Sequence, residues 1–175
     1  MKKAVFLDRD GVLNRAVIRE GKPYPPANVD EMEILPGVQE ALEALRAAGF
    51  LLIVVTNQPD VARGTTTRQA VEAINAALRQ ALPIDEFRTC FHDSGFGCDC
   101  RKPKPGALLA AAAVHDIDLS ASYMVGDRWR DAEAGQRAGC KTILIDYGYS
   151  EKRPEAVDYY VKSLGEATNI IMGTA

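Results

Sequence analysis

The sequence has no hydrophobic run long enough to cross a membrane. Its longest run of aliphatic and aromatic residues is FLLIVV, residues 50–55, whereas a spanning helix needs about 20 apolar residues. The N-terminal sequence MKKAVFLDRDG begins like a signal peptide, but charged residues follow after only four apolar ones. We therefore expect a cytoplasmic protein without a membrane partner.

The sequence also lacks an excess of positive charge. It carries 21 basic and 24 acidic residues, for a formal net charge of −3. This balance argues against non-specific binding to nucleic acid, although a local basic pocket is compatible with it. Repeats and low-complexity linkers are absent too. With 175 residues, of which 47% are hydrophobic, the chain is predicted to form one domain, residues 1–175, and we expect a monomer.

Cysteine is scarce and unevenly distributed. Three of the four cysteines lie with a histidine within eleven residues, as Cys90, His92, Cys98 and Cys100. Three thiolates and an imidazole are a complete tetrahedral ligand set for structural zinc, closed to substrate. A disulfide would conflict with the reducing cytoplasm, and a catalytic cysteine would not need such neighbours. The sequence thus predicts a zinc loop at about residues 90–100 that holds the adjacent Arg101 and Lys102 in place. Cys140 is predicted to be a small buried residue.

The sequence contains a regular alternation of short apolar segments and helical patterns. Strands are predicted at residues 4–7, 50–57, 87–90, 122–127 and 141–146. Helices are predicted at residues 38–48, 105–115, 129–138 and 163–172, with a further one that Thr66 and Gln69 open as a capping box. This alternation predicts an α/β fold, a mostly parallel sheet with helices on both faces. Residues 14–35 are predicted to be a long irregular stretch with a functional role.

Polar residues directly follow or end three of the predicted strands. They are Asp8 and Asp10 after the first, Thr56, Asn57 and Gln58 at the end of the second, and Asp127 after the fourth. Each signal alone is more often a turn or a helix cap. Their recurrence at strand ends matters, because ligands of such sheets bind at the carboxyl ends of the strands. We therefore expect these side chains and Lys102 to converge on one crevice.

The residue types in this crevice predict phosphoryl transfer. Asp8 and Asp10 are two residues apart, so their side chains would point to the same side of an extended strand. Two such carboxylates repel each other unless a cation lies between them, and Mg²⁺ with Asp127 as a further ligand suits such a pair. Thr56 and Lys102 can donate hydrogen bonds to phosphoryl oxygens. Nucleophile, acid/base, metal and cation would then surround one phosphorus.

Taken together, these motifs resemble the haloacid dehalogenase superfamily. The segments DRDGVLN (residues 8–14) and GDRWRD (residues 126–131) look like its first and fourth motifs, with Thr56 and Lys102 as the second and third. TNQ, ARG and CRKPKPG narrow the resemblance to D-glycero-D-manno-heptose 1,7-bisphosphate 7-phosphatases and the related histidinol-phosphate phosphatases. The resemblance implies a Rossmann-like parallel sheet without a large cap domain. It also implies a small phosphorylated metabolite as substrate, most specifically the 7-phosphate of the heptose bisphosphate.

The resemblance further implies a role for each site residue. Asp8 would attack phosphorus to form an aspartyl-phosphate, and Asp10 would act as acid and then as base. Mg²⁺ would be held by the carboxylates of Asp8 and Asp127 and by the backbone carbonyl of Asp10. Substrate would be contacted by Asn57, Gln58, Arg63, Arg101 and Arg128.

Two alternative functions differ from this prediction. The first is hydrolysis of histidinol phosphate or of another sugar phosphate. The second is a catalytically silent binding protein stabilised by zinc. The second is disfavoured because all five residues expected for catalysis are present, namely Asp8, Asp10, Thr56, Lys102 and Asp127.

Overall fold

The computed structural model describes residues 1–174 and contains eight strands. They are β1 (Lys3–Leu7), β2 (Val17–Arg19), β3 (Lys22–Tyr24), β4 (Phe50–Asn57), β5 (Glu86–Cys90), β6 (Tyr123–Gly126), β7 (Lys141–Ile145) and β8 (Tyr159–Val161). Six of them form one sheet in the order β5-β4-β1-β6-β7-β8, and each neighbouring pair runs parallel. Strands β2 and β3 form a separate antiparallel hairpin.

Five helices cover both faces of the sheet. They are α1 (Val38–Ala47), α2 (Arg68–Ala81), α3 (Gly106–His115), α4 (Trp129–Ala138) and α5 (Leu164–Met172). Helices α1, α2 and α5 contribute buried residues to one hydrophobic cluster, and α3 and α4 contribute to a second. The predicted α/β fold with a parallel sheet is therefore confirmed. Within residues 1–174, every helix is too short or too polar to span a bilayer.

The alternation of side chains along β1 explains why the sheet has two cores. Val5 and Leu7 belong to the cluster with α1 and α5, whereas Ala4 and Phe6 belong to the cluster with α3 and α4. All four side chains are fully buried. Successive residues of a strand point to opposite faces, so a strand covered on both sides is apolar throughout.

The structure departs from the predicted elements in three places. Residues 14–35 are only partly irregular, because they contain the β2–β3 hairpin. Helix α2 is capped by Thr67 rather than by Thr66, since the Thr67 hydroxyl accepts a hydrogen bond of 3.1 Å from the backbone N–H of Ala70. Strand β8 was not predicted; it is a three-residue strand at the sheet edge.

The sheet order fixes the place of the crevice. From β1 the chain moves to β4 and β5 on one side, and later to β6 and β7 on the other. The connections therefore diverge at the carboxyl ends of β1 and β6, where parallel sheets of this kind bind ligands.

Candidate active site

Three buried carboxylates meet at this switch point. Asp8 follows β1, Asp127 follows β6, and Asp131 lies in the first turn of α4. One carboxylate oxygen from each of them lies within 4.8 Å of the other two. Their residues are 8%, 4% and 2% exposed, so water screens their mutual repulsion poorly.

Lys102 is the buried cation of this group. Its Nζ donates hydrogen bonds to Asp8 Oδ1 at 2.9 Å and to the carbonyl of Val55 at 2.6 Å, and it lies 2.7 Å from Asp131 Oδ1. Burial by itself would lower the pKa of Lys102, but Asp131 and Asp8 outweigh burial and raise it. Lys102 is therefore a permanent ammonium that ties the end of β1 to the start of α4.

The backbone of Lys102 is fixed as firmly as its side chain. The side-chain amide of Asn57, at the end of β4, donates to the Lys102 carbonyl at 3.0 Å and accepts from the Lys102 N–H at 3.1 Å. This pair of hydrogen bonds occupies both ends of the Asn57 amide. Asn57 also lines the cavity above the carboxylates.

The group has more negative than positive charge, which matches a divalent cation. Three carboxylates and one ammonium leave two negative charges if all of them are ionised. Desolvation, followed by Asp8 and Asp131, raises the pKa of Asp127 well above its usual value, and desolvation followed by Asp131 raises that of Asp8. The Asp127 Oδ1 atom is buried without a hydrogen-bond partner. An unpaired carboxylate oxygen beside another carboxylate is the donor set of a hard metal ion such as Mg²⁺.

Two glycines make room for this group. Gly11 has a φ of +85°, and a Cβ there would lie 2.1 Å from Asp127 Oδ2. A Cβ on Gly126 would lie 2.1 Å from the Cβ of Asp131. Any side chain at either position would displace a carboxylate, so the motifs need glycine for space.

Asp131 closes the first turn of α4 as well as binding Lys102. Its Oδ2 accepts hydrogen bonds from the backbone N–H groups of Asp127 at 3.1 Å and Arg128 at 3.0 Å. A carboxylate in the first turn satisfies free N–H groups and is favoured by the helix dipole. On the opposite side, the Tyr149 hydroxyl donates to Asp127 Oδ2 at 2.7 Å.

Asp10 lies beside this group without joining its carboxylates. Strand β1 ends at Leu7, so the chain turns before Asp10, and its side chain is not one of the clustered carboxylates among residues 1–174. It is paired instead with the buried Arg9 at 3.1 Å, and Asn14 Nδ2 donates to it at 2.9 Å. We expected the side chains of Asp8 and Asp10 to share one cation, and the geometry shows that they do not. Asp10 does line the cavity.

Thr56 and Gln58 are buried more deeply than expected. Each is 1% exposed, and neither lines the cavity above the carboxylates. Gln58 Nε2 donates to Asp10 Oδ2 at 2.9 Å and to Thr56 Oγ1 at 3.0 Å. Gln58 therefore contacts Asp10 directly, and Thr56 is connected to Asp10 through Gln58.

Basic side chains form the rim of the cavity. They are Arg63, Arg101, Arg128 and Arg130. Arg63 is held by Asp93 through two hydrogen bonds of 2.9 and 2.8 Å, and Arg128 is paired with Glu151. Desolvation, followed by Arg128 and Arg101, lowers the pKa of Arg130. Crowded cations without enough counter-charge favour an anionic ligand.

The hairpin supplies part of the wall of the cavity. Pro23 and Tyr24, in β3, and Pro25, directly after it, line the cavity. The stretch that was predicted to have a functional role thus contributes to the cavity wall as a hairpin.

The four predicted zinc ligands converge on one point. The Cys90 sulfur lies 3.4 Å from His92 Nδ1, 3.7 Å from the Cys98 sulfur and 2.9 Å from the Cys100 sulfur. His92 Nδ1 lies 3.3 Å from the Cys100 sulfur. All four cysteines of the chain are free thiols, since a disulfide would bring two sulfurs to about 2 Å. The four ligand atoms lie within 4.8 Å of one another and could hold a metal ion.

The three clustered thiols differ in their electrostatics. Burial raises the pKa of Cys90 and of Cys100, whereas the pKa of Cys98 is lowered. Although burial opposes it, hydrogen bonds from the backbone of Arg101 and from the Cys100 thiol lower the pKa of Cys98 to about 7. A thiolate is the form that binds a metal. Cys140, by contrast, lies in the second hydrophobic cluster, and burial raises its pKa to about 12. Its interpretation as a small buried residue is confirmed.

Sequence reasoning did not assign a role to four residues around this site. They are Arg9, Arg130, Asp131 and Tyr149. A signal for Asp131 was present, because an acidic residue in the first turn of a helix commonly reaches back to the helix start. Tyr149 gave no signal, since it reaches Asp127 from a loop after β7, 22 residues further along the chain.

The chain is similar to a known protein family, to curated proteins and to solved structures. A family model described as HAD-hydrolase-like matches residues 99–167. The D-glycero-beta-D-manno-heptose-1,7-bisphosphate 7-phosphatase of Pasteurella multocida is 38% identical, over 99% of this chain and 98% of that protein. The Escherichia coli K12 protein of the same name is 34% identical, over 96% and 93%. A crystal structure of D,D-heptose 1,7-bisphosphate phosphatase from B. bronchiseptica, complexed with magnesium and phosphate, is 31% identical with a TM-score of 0.83 and covers 99% of both chains.

Proposed function

The chain belongs to the D-glycero-β-D-manno-heptose-1,7-bisphosphate 7-phosphatase family of haloacid-dehalogenase-like hydrolases, and we propose that it hydrolyses the 7-phosphate of that sugar. The observation that carries the proposal is the group of Asp8, Lys102 and Asp131. It places a buried carboxylate at the floor of a cavity with an arginine rim. A carboxylate in such surroundings suits nucleophilic attack on an anionic phosphate ester.

Asp8 is the proposed nucleophile. Lys102 holds Asp8 Oδ1, which leaves Oδ2 to attack phosphorus. As the bond from Oδ2 to phosphorus forms, the bond from phosphorus to the sugar oxygen breaks, and Asp10 gives that oxygen its proton. Water then attacks the aspartyl-phosphate, Asp10 takes a proton from the water, and the bond to Asp8 breaks. Phosphate leaves, and both aspartates return to their starting state.

Mg²⁺ is the proposed cofactor of this reaction. The related B. bronchiseptica enzyme was crystallised with magnesium and phosphate, and the unpaired Asp127 Oδ1 fits such an ion. The carboxylates of Asp8 and Asp127 and the backbone carbonyl of Asp10 would hold it. When bound, it would offset negative charge on the phosphoryl oxygens. Asp131 keeps Lys102 and the start of α4 in place around this site.

Thr56 and Gln58 take a different part from the one expected. Gln58 donates a hydrogen bond to Asp10 and another to the Thr56 hydroxyl, so we propose that Gln58 holds the acid/base residue and that Thr56 orients Gln58. Asn57 is proposed to fix the backbone of Lys102 through its two hydrogen bonds and to present its exposed edge to substrate.

The arginine rim supports a substrate with two phosphates. Lys102 would lie beside the reacting phosphate, whereas Arg101 and Arg130, unlike Arg63 and Arg128, lack a carboxylate partner among residues 1–174. A guanidinium binds a phosphate through two parallel hydrogen bonds. A second phosphate on the far end of a sugar would satisfy these cations, whereas histidinol phosphate would bring an amine to them.

Zinc in the Cys/His loop is the proposed structural metal. The ligand types and distances suit a closed tetrahedral site. The loop leads straight from Cys100 into Arg101 and Lys102, so its metal would anchor both cations. We further propose a single domain, a monomer and a cytoplasmic location, where the thiols would stay reduced.

Asp8→Asn should abolish turnover while the protein stays folded. An amide does not attack phosphorus as a carboxylate does, and circular dichroism would check the fold. Asp10→Asn should lower kcat by roughly 10²–10⁴-fold, the usual range for loss of acid/base catalysis. More than a few per cent of wild-type activity in Asp8→Asn would rule out the covalent mechanism.

Elemental analysis should find about one zinc per chain in protein purified without chelator, with Mg²⁺ needed in addition for activity. Cys98→Ser should lose the zinc, whereas the matched control Cys140→Ala should keep it. Strong chelation should also weaken phosphate-ester binding, because Arg101 and Lys102 lose their anchor. Zinc-free protein with a disulfide between Cys98 and Cys100 after fresh reduction would contradict the zinc site.

The enzyme should prefer the heptose 1,7-bisphosphate to histidinol phosphate by at least about tenfold in kcat/KM. That ratio requires only about 1.4 kcal/mol of differential transition-state binding. Arg101→Gln should narrow the preference more than Arg63→Gln does, because Asp93 already neutralises Arg63. Steady-state kinetics on both substrates would measure both effects. Equal kcat/KM values, or a preference for histidinol phosphate, would contradict the heptose bisphosphate as substrate. The assignment of the protein as a phosphatase would still hold.

A further inference from the structure

A fully buried arginine stands behind the proposed acid/base residue. Arg9 is 0% exposed. Its Nε and Nη2 donate to Asp10 Oδ1 at 3.2 and 3.1 Å, and Nη2 also lies 3.3 Å from Asp10 Oδ2. A buried cation is stable only when its partners hold it in good geometry. The remaining guanidinium nitrogen, Nη1, faces away from Asp10 and needs a partner of its own.

That partner is a buried asparagine on the inner side of α2. Asn75 Oδ1 accepts from Arg9 Nη1 at 3.0 Å, and Asn75 Nδ2 donates to Thr89 Oγ1, on β5, at 3.1 Å. The other buried residues of this helix are Val71, Ile74 and Leu78. An amide among apolar side chains is costly unless it is hydrogen-bonded. Packing alone would favour an apolar residue at this position.

We propose that Asn75 is a positioning residue that orients Asp10 through Arg9. The hydrogen bonds run from Thr89 to Asn75, to Arg9 and to the carboxylate. They connect β5 and α2 to the turn after β1. This role rests on the proposed function, because it assumes that Asp10 transfers protons to and from substrate.

The connection also separates two groups of charge. Asp10 is neutralised by its own cation, so it does not add a fourth negative charge to the cluster around Lys102. Asn14 donates a further hydrogen bond to Oδ1 and Gln58 donates one to Oδ2, which leaves a position on Oδ2 for the proton that Asp10 transfers. The carboxylate is only 15% exposed, so it reaches the cavity from a fixed direction. Loss of Asn75 would free the guanidinium to rotate and would let Asp10 move with it.

Substrates with different leaving groups can distinguish a positioning role of Asn75 from a purely structural role. An alkoxide needs a proton as the phosphorus–oxygen bond breaks, whereas nitrophenolate leaves without one. A misplaced Asp10 should therefore slow hydrolysis of an alkyl ester more than that of an aryl ester. A general loss of folded protein would lower both rates by the same factor.

The experiment compares kcat/KM for glycerol 2-phosphate and 4-nitrophenyl phosphate in the Mg²⁺- and zinc-loaded enzyme. The test variant is Asn75→Leu, which has a similar size but cannot bind Arg9. Arg9→Lys is the second test variant, because lysine keeps the buried charge but cannot reach Asp10 and Asn75 together. Asp10→Asn is the positive control. Ile74→Val is the matched control, since it changes the packing of α2 one residue away.

We expect Asn75→Leu and Arg9→Lys to lower the alkyl-to-aryl ratio by at least about tenfold, and Asp10→Asn to lower it further, within the range of acid catalysis. Ile74→Val should leave the ratio unchanged. If Asn75→Leu does not fold, Asn75→Ala, which removes the same amide, takes its place. An unchanged ratio in the test variants, with a lowered ratio in Asp10→Asn, would overturn the role of Asn75 alone. An unchanged ratio in Asp10→Asn would overturn the acid role of Asp10 and this inference with it.

Discussion

The crowding of three carboxylates around one buried ammonium is the constraint on which the rest of the site depends. Two like charges 4 Å apart repel by about 4 kcal/mol at an effective dielectric constant of 20, so the group needs every compensation that the fold provides. Lys102 supplies one positive charge and bridges the end of β1 and the start of α4. Asn57 fixes its backbone, and the Cys/His loop leads into it. The arrangement stays short of positive charge, and this shortage prepares it for a divalent cation.

The same constraint explains why Asp10 has a cation of its own. A fourth carboxylate in the cluster would increase the repulsion, whereas Arg9 neutralises Asp10 on the other side of the turn. The site therefore contains two electrostatic groups. In the proposed mechanism, the group around Lys102 would present the nucleophile and the metal ligands, and the group around Arg9 would present the residue that exchanges a proton. The arginine rim, in turn, faces the cavity and supplies positive charge where a substrate brings its own negative charge.

Much of this could be predicted from the sequence, because the signals were local. The apolar run of β4 predicted that strand to the residue, and acidic residues at strand ends predicted the place of Asp8 and Asp127. The hairpin β2–β3 escaped prediction because strands of three residues are too short to show a period. The pairing of Arg9 with Asn75 could not be predicted either, since 66 residues separate them and only the packing of α2 on the sheet brings them together.

The most direct test of the charge constraint is the free energy of unfolding of the zinc-loaded protein in Mg²⁺-free buffer and with Mg²⁺, for the wild type and for Asp127→Asn. Without Mg²⁺, we predict that Asp127→Asn is more stable than the wild type, because the variant removes a buried charge whose Oδ1 has no partner. Saturating Mg²⁺ should stabilise the wild type by about 2.7 kcal/mol at a hundred times its dissociation constant, and the variant by much less. A variant that is less stable than the wild type without Mg²⁺ and is stabilised as much by Mg²⁺ would contradict this prediction.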